Sequence, residues 1–273
     1  MGNFSNSISE RFRHARIKEG YCVICGNFGK LSQDHVPPKG SITITKVEQR
    51  HVNEMMDVKS AKVKGLMSPN GSKFKTICGK CNNEHLGKND IEIARVNKLL
   101  TQKIRDHITH PLNNHITVSI SPVKYARAMI GHILSATSVT ECKQPIKESP
   151  YFDALRSFVL GDDCALDNTH GIYYWFYPFS MHISSKMVGF NNEGHFACLS
   201  LLSFYPIAFM VTEKSKGIFP EHARELRLTD RSLTLDLTKH GFEYAEFPFI
   251  ELQGNRFMAL TDYQSIVSYP IKK

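Results

Sequence analysis

Cys22-Val23-Ile24-Cys25-Gly26, Asp34-His35-Val36-Pro37-Pro38-Lys39-Gly40 and Thr76-Ile77-Cys78-Gly79-Lys80-Cys81-Asn82-Asn83 are the three stretches that decide the reading of this 273-residue chain. Two C-x2-C pairs offer four thiols, and four thiolates close a tetrahedral zinc site that supplies folding energy to a region too irregular to hold itself by burial. Cys22, Cys25, Cys78 and Cys81 are therefore assigned to a structural Zn2+, with Gly26 and Gly79 as turn formers beside them. The 52 residues between the pairs (26–77) exceed the spacing of a compact finger. Cys142, Cys164 and Cys198 lack such spacing and read as ordinary buried thiols. Left over beside the pairs are a carboxylate, Asp34, an imidazole, His35, and an amide, Asn82. Those are the groups that a hard divalent cation and a water nucleophile require.

Outward from the cysteines the chain reads as mixed α and β. The segment 21–40 is a knuckle feeding a hairpin, Phe74 to Ile77 is a strand, and the alternating Ile42-Thr43-Ile44-Thr45 opens an insertion between them. That insertion includes a lysine-rich stretch, Lys59 to Lys64, and a Ser68-Pro69-Asn70-Gly71 turn. After Cys81, Leu86, Ile93, Val96, Leu100 and Ile104 recur at helical spacing, with Asn82 placed to cap the helix, Gly87 as an early break and Pro111 as its end. Ile116 to Ile120 alternates as a strand, and Val123 to Ala136 is a buried helix with His132 as a hydrogen-bonded core residue. A helix over Tyr151 to Leu160 follows. Strand-like runs then appear at 172–176, 186–190, 196–204, 207–212, 233–237 and 256–260. The first 20 residues read as a short amphipathic helix or an arm anchored by Phe12 and Ile17. The expected organisation is a basic first domain, 1–118, and an α+β second domain, 119–273.

Apolar residues at 41% and charged residues at 22% are ordinary values for a folded chain, which excludes global disorder and a fibrous class. The net charge of +8 is uneven: residues 1–120 hold 19 Lys and Arg against 10 Asp and Glu, whereas 121–273 hold 15 against 16. The whole basic excess travels with the cysteines, which favours a polyanion as partner, since each phosphate neutralised releases condensed counterions. An odd count of seven cysteines and no apolar leader point to reduced thiols and a cytoplasmic protein. The longest apolar stretch, 196–212, is too short and too interrupted to span a membrane and reads as buried strands.

Taken together, C-V-I-C-G, D-H-V-P-P-K-G and T-I-C-G-K-C-N-N, with Asp90 soon after, resemble the zinc-containing HNH endonucleases over residues 21 to about 100. The resemblance implies an N-terminal zinc-stapled ββα-metal domain followed by the mixed α+β domain. It also implies a DNA endonuclease that hydrolyses phosphodiester bonds to leave a 5′ phosphate. Carried over residue by residue, His35 is the general base, and Asp34 and Asn82 hold a catalytic Mg2+ or Mn2+. The family's central asparagine has Asn70 as its nearest counterpart. His85, three residues after Asn82, is a further candidate ligand or phosphate contact, and Asp90 a candidate for orienting a ligand. Lys39, Lys73, Lys75, Lys80 and Lys88 gather around these residues as candidate contacts to nucleic-acid phosphates, DNA first and RNA as the alternative polyanion. The rival reading is a non-catalytic zinc-ribbon module that binds nucleic acid, with Asp34 and His35 structural. A dithiol redox protein is a third, and it predicts no zinc. The aromatic run Tyr173 to Tyr177 reads as core rather than as a base-stacking platform, because no basic residue interleaves.

Overall fold

Alternating and fully apolar runs in the sequence become strands, and the 3.6-period runs become helices, in a computed structural model that describes residues 8–56, 63–109, 114–192, 194–238, 245, 257–260 and 263–271. A 3-10 turn at Glu10–Phe12 is followed by β1 (Glu19–Tyr21), β2 (Phe28–His35), β3 (Val47–His51), the one-turn α1 (Asn53–Met56), β4 (Leu66–Ser68) and β5 (Lys73–Cys78). A π-helical turn, Cys81–Leu86, runs straight into α2 (Gly87–Thr109). Then come β6 (His115–Ser119), α3 (Pro122–Ser135) and α4 (Pro150–Leu160). The remaining strands are β7 (His170–Phe176), β8 (His182–Asn192), β9 (His195–Phe204), β10 (Ile207–Glu213), β11 (Arg224–Glu225), β12 (Ser232–Asp236), β13 (Phe257–Leu260) and β14 (Ser265–Pro270).

Every strand pair among the described residues is antiparallel. β1, β2 and β5 form a small three-stranded sheet, β6 pairs with β12, and the described residues give a nine-stranded sheet in the order β11-β7-β10-β9-β8-β14-β3-β4, with β13 also on β8. Because β3 and β4 lie between β2 and β5 in sequence, the insertion leaves the small sheet, extends the large one, and returns. Residues on both sides of position 118 share one hydrophobic cluster, from Cys22 and Leu31 through Met129 to Ile266. The boundary expected there does not coincide with a break in packing.

The hub is α3, whose residues from Ala128 to Ser135 are all buried. Gly131 lets the π turn press against it: a Cβ at this position would sit 2.8 Å from Leu86 Cδ1. β9 and β10 are buried on successive residues because both faces of the large sheet are covered there. The aromatic run likewise packs into the core, with Tyr174, Trp175, Phe176 and Tyr177 all buried.

Several local expectations change. Ile42 to Thr45 forms no strand, whereas Val47–His51 does, with Gln49 and His51 turned inward. β14 had no strand-like signal, since Ser265 and Ser268 are among its buried residues. Cys142 and Cys198 are buried as expected, whereas Cys164 is exposed on the turn after α4. Near the N-terminus Arg11 is buried and Phe12 is exposed. The Arg11 guanidinium lies 4.7 Å from the centre of the Phe74 ring and donates to the main-chain oxygens of His14 and Lys73. Burial lowers its pKa to about 10. Gly87 does not break the helix; it marks the passage from π to α winding. Of the Lys59 to Lys64 stretch, residues 59–62 lie outside the described residues.

Candidate metal centre and hairpin site

The two cysteine pairs meet where β2, β5 and the π turn converge. Sγ atoms of Cys22, Cys25, Cys78 and Cys81 lie within 4.8 Å of one another, the only group of three or more His, Cys, Asp and Glu donors so placed among the described residues. Sγ of Cys25 and Cys78 are 3.7 Å apart. A tetrahedron with Zn–S bonds of about 2.3 Å has edges of about 3.8 Å, so the donor set fits zinc. The first knuckle closes through Gly26, at φ +76, whose N–H donates to the Cys22 carbonyl at 2.9 Å. In the second, the Cys81 N–H donates to Cys78 Sγ at 3.5 Å, and Gly79 needs no left-handed backbone.

Electrostatics at the cluster ask for a cation. A hydrogen bond from the Cys81 thiol holds Cys22 down to about 5, whereas burial pushes Cys25 up to about 11. Cys81 is pushed up as well, first by that same bond and then by burial and the neighbouring sulfur charge. Four thiolates this close repel one another, and a divalent metal at their centre is what lets all four ionise.

β2 and β5 form a hairpin whose register slips between Ser32 and Asp34, an irregularity that sits next to the remaining site residues. Strand alternation then sends Asp34 to one side and His35 to the other. Asp34 faces α3, is 3% exposed, and takes two hydrogen bonds on Oδ2: from His132 Nδ1 at 3.0 Å and from Ser135 Oγ. Its Oδ1 has no partner among the described residues. On the far side of the same imidazole, His132 Nε2 donates to Asp90 Oδ1 at 2.8 Å. Burial alone would lower the pKa of His132, but the carboxylates of Asp34 and Asp90 outweigh it and raise it to about 10. His132 is thus an imidazolium clasped between two carboxylates.

His35 is half-buried at the end of β2, paired in register with Lys73. Burial lowers its pKa, helped by Lys39 and Lys73 and opposed by Asp34 and by a hydrogen bond from the ring to the Asn70 main chain. Nε2 is buried and has no hydrogen-bond partner among the described residues.

Asn82 does not cap a helix. Lys80 stands at the cap position, and the Asn82 amide turns back onto β2, with Nδ2 donating to Ser32 Oγ and to the Gln33 carbonyl, both at 2.9 Å. Its Oδ1 has no partner among the described residues. A π turn takes more residues per revolution than an α turn, so the helical-face relation expected between Asn82 and His85 is lost. His85 instead lines a cleft of about 380 Å3 with Lys88, Lys124 and Arg127. Lys39 and Lys73 flank His35, Lys75 lies along β5, and Lys80 is exposed in the second knuckle.

His132 and Ser135 were not expected at the site. Their sequence signal is faint: two polar residues three apart, on one face of an otherwise apolar helix. No family model, no curated protein and no solved structure matches the chain. No helix among the described residues is long and apolar enough to cross a membrane.

Proposed function

We propose that the chain is a metal-dependent DNA endonuclease of the HNH type, with His35 as general base and one Mg2+ or Mn2+ ion held by Asp34 and Asn82. The observation that carries this reading is the docking of Asn82 onto β2. It ties Asn82 to the strand that bears Asp34 and His35, and among the described residues neither the Asn82 amide oxygen nor Oδ1 of Asp34 has a hydrogen-bond partner. One carboxylate and one amide suit Mg2+, which keeps several waters and fills its shell with substrate phosphate oxygens. A bound ion supplies Lewis acidity toward the charge that develops on the phosphate and on the leaving 3′ oxygen.

The chain's own residues do the rest. His35, as a neutral imidazole, takes a proton from the attacking water through Nε2. Nε2 has no hydrogen-bond partner among the described residues, and a reacting water would supply one. Lys39 and Lys73 stand beside that ring, and with Lys75, Lys80 and Lys88 they position backbone phosphates without reading bases. The tetrathiolate zinc pins the hairpin to the helix and takes no part in chemistry.

One observation favours a second reading. Asp34 is almost wholly buried and already ion-paired, as a structural carboxylate would be, and this is the arrangement of a zinc-stapled module that binds nucleic acid without cutting it. Plasmid cleavage separates the two. The nuclease nicks DNA with Mg2+ or Mn2+ and loses this on His35→Ala while DNA binding persists; wild-type binding without cleavage under any divalent ion supports the binding module.

A further inference from the structure

Asp34 sits in a layer where a carboxylate has no business unless something holds it. Replacing a buried ion pair by apolar residues of similar volume is often neutral or stabilising, so the Asp34–His132–Asp90 array is poor value as a fold-stabilising device. Its geometry is informative in another way. Both donors from α3 converge on a single oxygen: His132 Nδ1 at 3.0 Å and Ser135 Oγ each reach Oδ2, and neither reaches Oδ1. The His132 ring is fixed from behind by Asp90, through Nε2 at 2.8 Å, so it cannot rotate away. The single Ser135 hydroxyl proton is shared between Oδ2 of Asp34 and the His132 carbonyl, 3.1 Å away, with the carboxylate the stronger acceptor. A carboxylate gripped by one oxygen presents the other in a set direction. Metal ligands in proteins are commonly aimed in this way by partners that never touch the ion.

Resting on the nuclease reading, we infer that His132 and Ser135 of α3, with Asp90 behind them, are positioning residues for the divalent cation: they hold Asp34 by Oδ2 and so leave Oδ1 as the metal donor. None of the three needs to meet substrate. The arrangement also makes α3, against which β8 and β9 pack, a structural support of the site, so the second half of the chain contributes to a centre whose ligands all come from the first.

Two isosteric variants separate positioning from mere packing. In His132→Asn the amide nitrogen falls near the place of Nδ1 and keeps the donation to Asp34 while losing Asp90; in His132→Gln it falls near Nε2 and does the reverse. Both lose the same charge and ring. Mn2+ titrated calorimetrically into the zinc-loaded full chain is expected to bind roughly 10- to 100-fold more weakly to His132→Gln than to wild type. His132→Asn is expected to stay near wild type, and zinc content is expected to be equal in all three. Equal Mn2+ affinity in His132→Gln and wild type overturns the inference while leaving the nuclease reading standing. Tighter binding in His132→Gln overturns it as well, by showing that the imidazole competes with the cation. A wild-type chain that takes up no Mn2+ beyond its zinc site sinks the nuclease reading and this inference together. Should either His132 variant fail to fold, Ser135→Ala removes the second hydrogen bond to Oδ2 by the loss of one atom, and weaker Mn2+ binding with unchanged zinc is expected there too.

Discussion

His132 on the last turn of α3 reaches back 98 positions to donate to Asp34 at the end of β2, at 3.0 Å and with both side chains almost wholly out of water. That bond joins the hairpin of the first half to the helix on which the large sheet packs. It also means that Asp34 cannot be removed without consequence for the fold. Asp34→Ala leaves a buried imidazolium with one carboxylate instead of two, and breaking a buried pair from one side costs about 3–5 kcal/mol. Asp34→Asn, which keeps an oxygen for His132, is expected to cost less. Urea unfolding of the two variants checks the order; equal stability of Asp34→Ala and wild type would contradict the pairing.

The thiol cluster makes a separate prediction, about metal rather than packing. Purified protein is expected to hold one zinc per chain by elemental analysis, and Cys78→Ser to lose most of it. With Cys78 gone, the β5 end of the hairpin is no longer tied to the first knuckle, and the midpoint of thermal unfolding should fall. A Cys78→Ser chain with an unchanged melting curve would show that the sulfurs are near one another for no structural reason.

Gly131 and Leu86 test the contact that seats the π turn on α3. The Cβ of Gly131→Ala would fall 2.8 Å from a Leu86 methyl, and overpacking of this kind costs about 1–3 kcal/mol. Leu86→Ala, a fully buried truncation, costs about 2–5 kcal/mol. The double variant should be more stable than the sum of the singles implies, because the shortened side chain makes room for the new methyl. Strict additivity in denaturant unfolding would mean that the two do not touch.

How much of this was legible from sequence depends on what each residue's inward face is made of. Four cysteines at C-x2-C spacing announce their role because thiols converge on metal whatever the intervening chain does. The strands from β7 to β10 were legible because a sheet covered on both faces demands unbroken apolar runs, as in Ile207–Glu213. β3 was not, because its inward positions after Val47 are Gln49 and His51, and β14 carries buried serines; alternation of polarity then says nothing about which face is inside. Ile42 to Thr45 alternates without forming a strand. The π winding that turns Asn82 onto β2 has no sequence signature comparable to a cap, so the cap was the natural expectation and the docked amide was not. For His132, burial and hydrogen bonding were readable from its apolar neighbours, but a partner 98 positions away was not.

Acid should unfold the protein through buried histidines remote from the hairpin. Burial lowers His51 to about 3 and both His170 and His182 to about 4, each below the 6.5 of an unfolded chain. Each ring has a buried nitrogen without a hydrogen-bond partner, which fits a neutral ring. Because the unfolded state binds protons that the folded state refuses, stability is fully present above pH 6.5 and falls as pH drops from 6.5 toward 4. Each such histidine contributes a slope of about 1.4 kcal/mol per pH unit in that window. Unfolding free energies measured from pH 7.5 to 4.5 are expected to show the fall, and His182→Leu to reduce its slope. A stability profile flat across that range would mean that these rings are protonated in the folded state.

Lysines near His35 can be distinguished from solvated ones by salt. Lys39 and Lys73 both act on the His35 ring, and the proposed nuclease reading assigns them to the backbone phosphates beside it. Each phosphate neutralised contributes about 0.9 to the slope of log affinity against log salt on duplex DNA. Lys39→Gln and Lys73→Gln should therefore each lower that slope by about one and weaken binding to unrelated sequences alike, since backbone contacts carry no base information. Lys216 offers the control: it is exposed, pairs with Glu213 at 2.9 Å, and follows β10 in the large sheet. Its replacement should leave the slope alone. If Lys39→Gln and Lys216→Gln shift DNA binding equally, the basic excess of the first half is general surface charge, and no phosphate is seated beside His35.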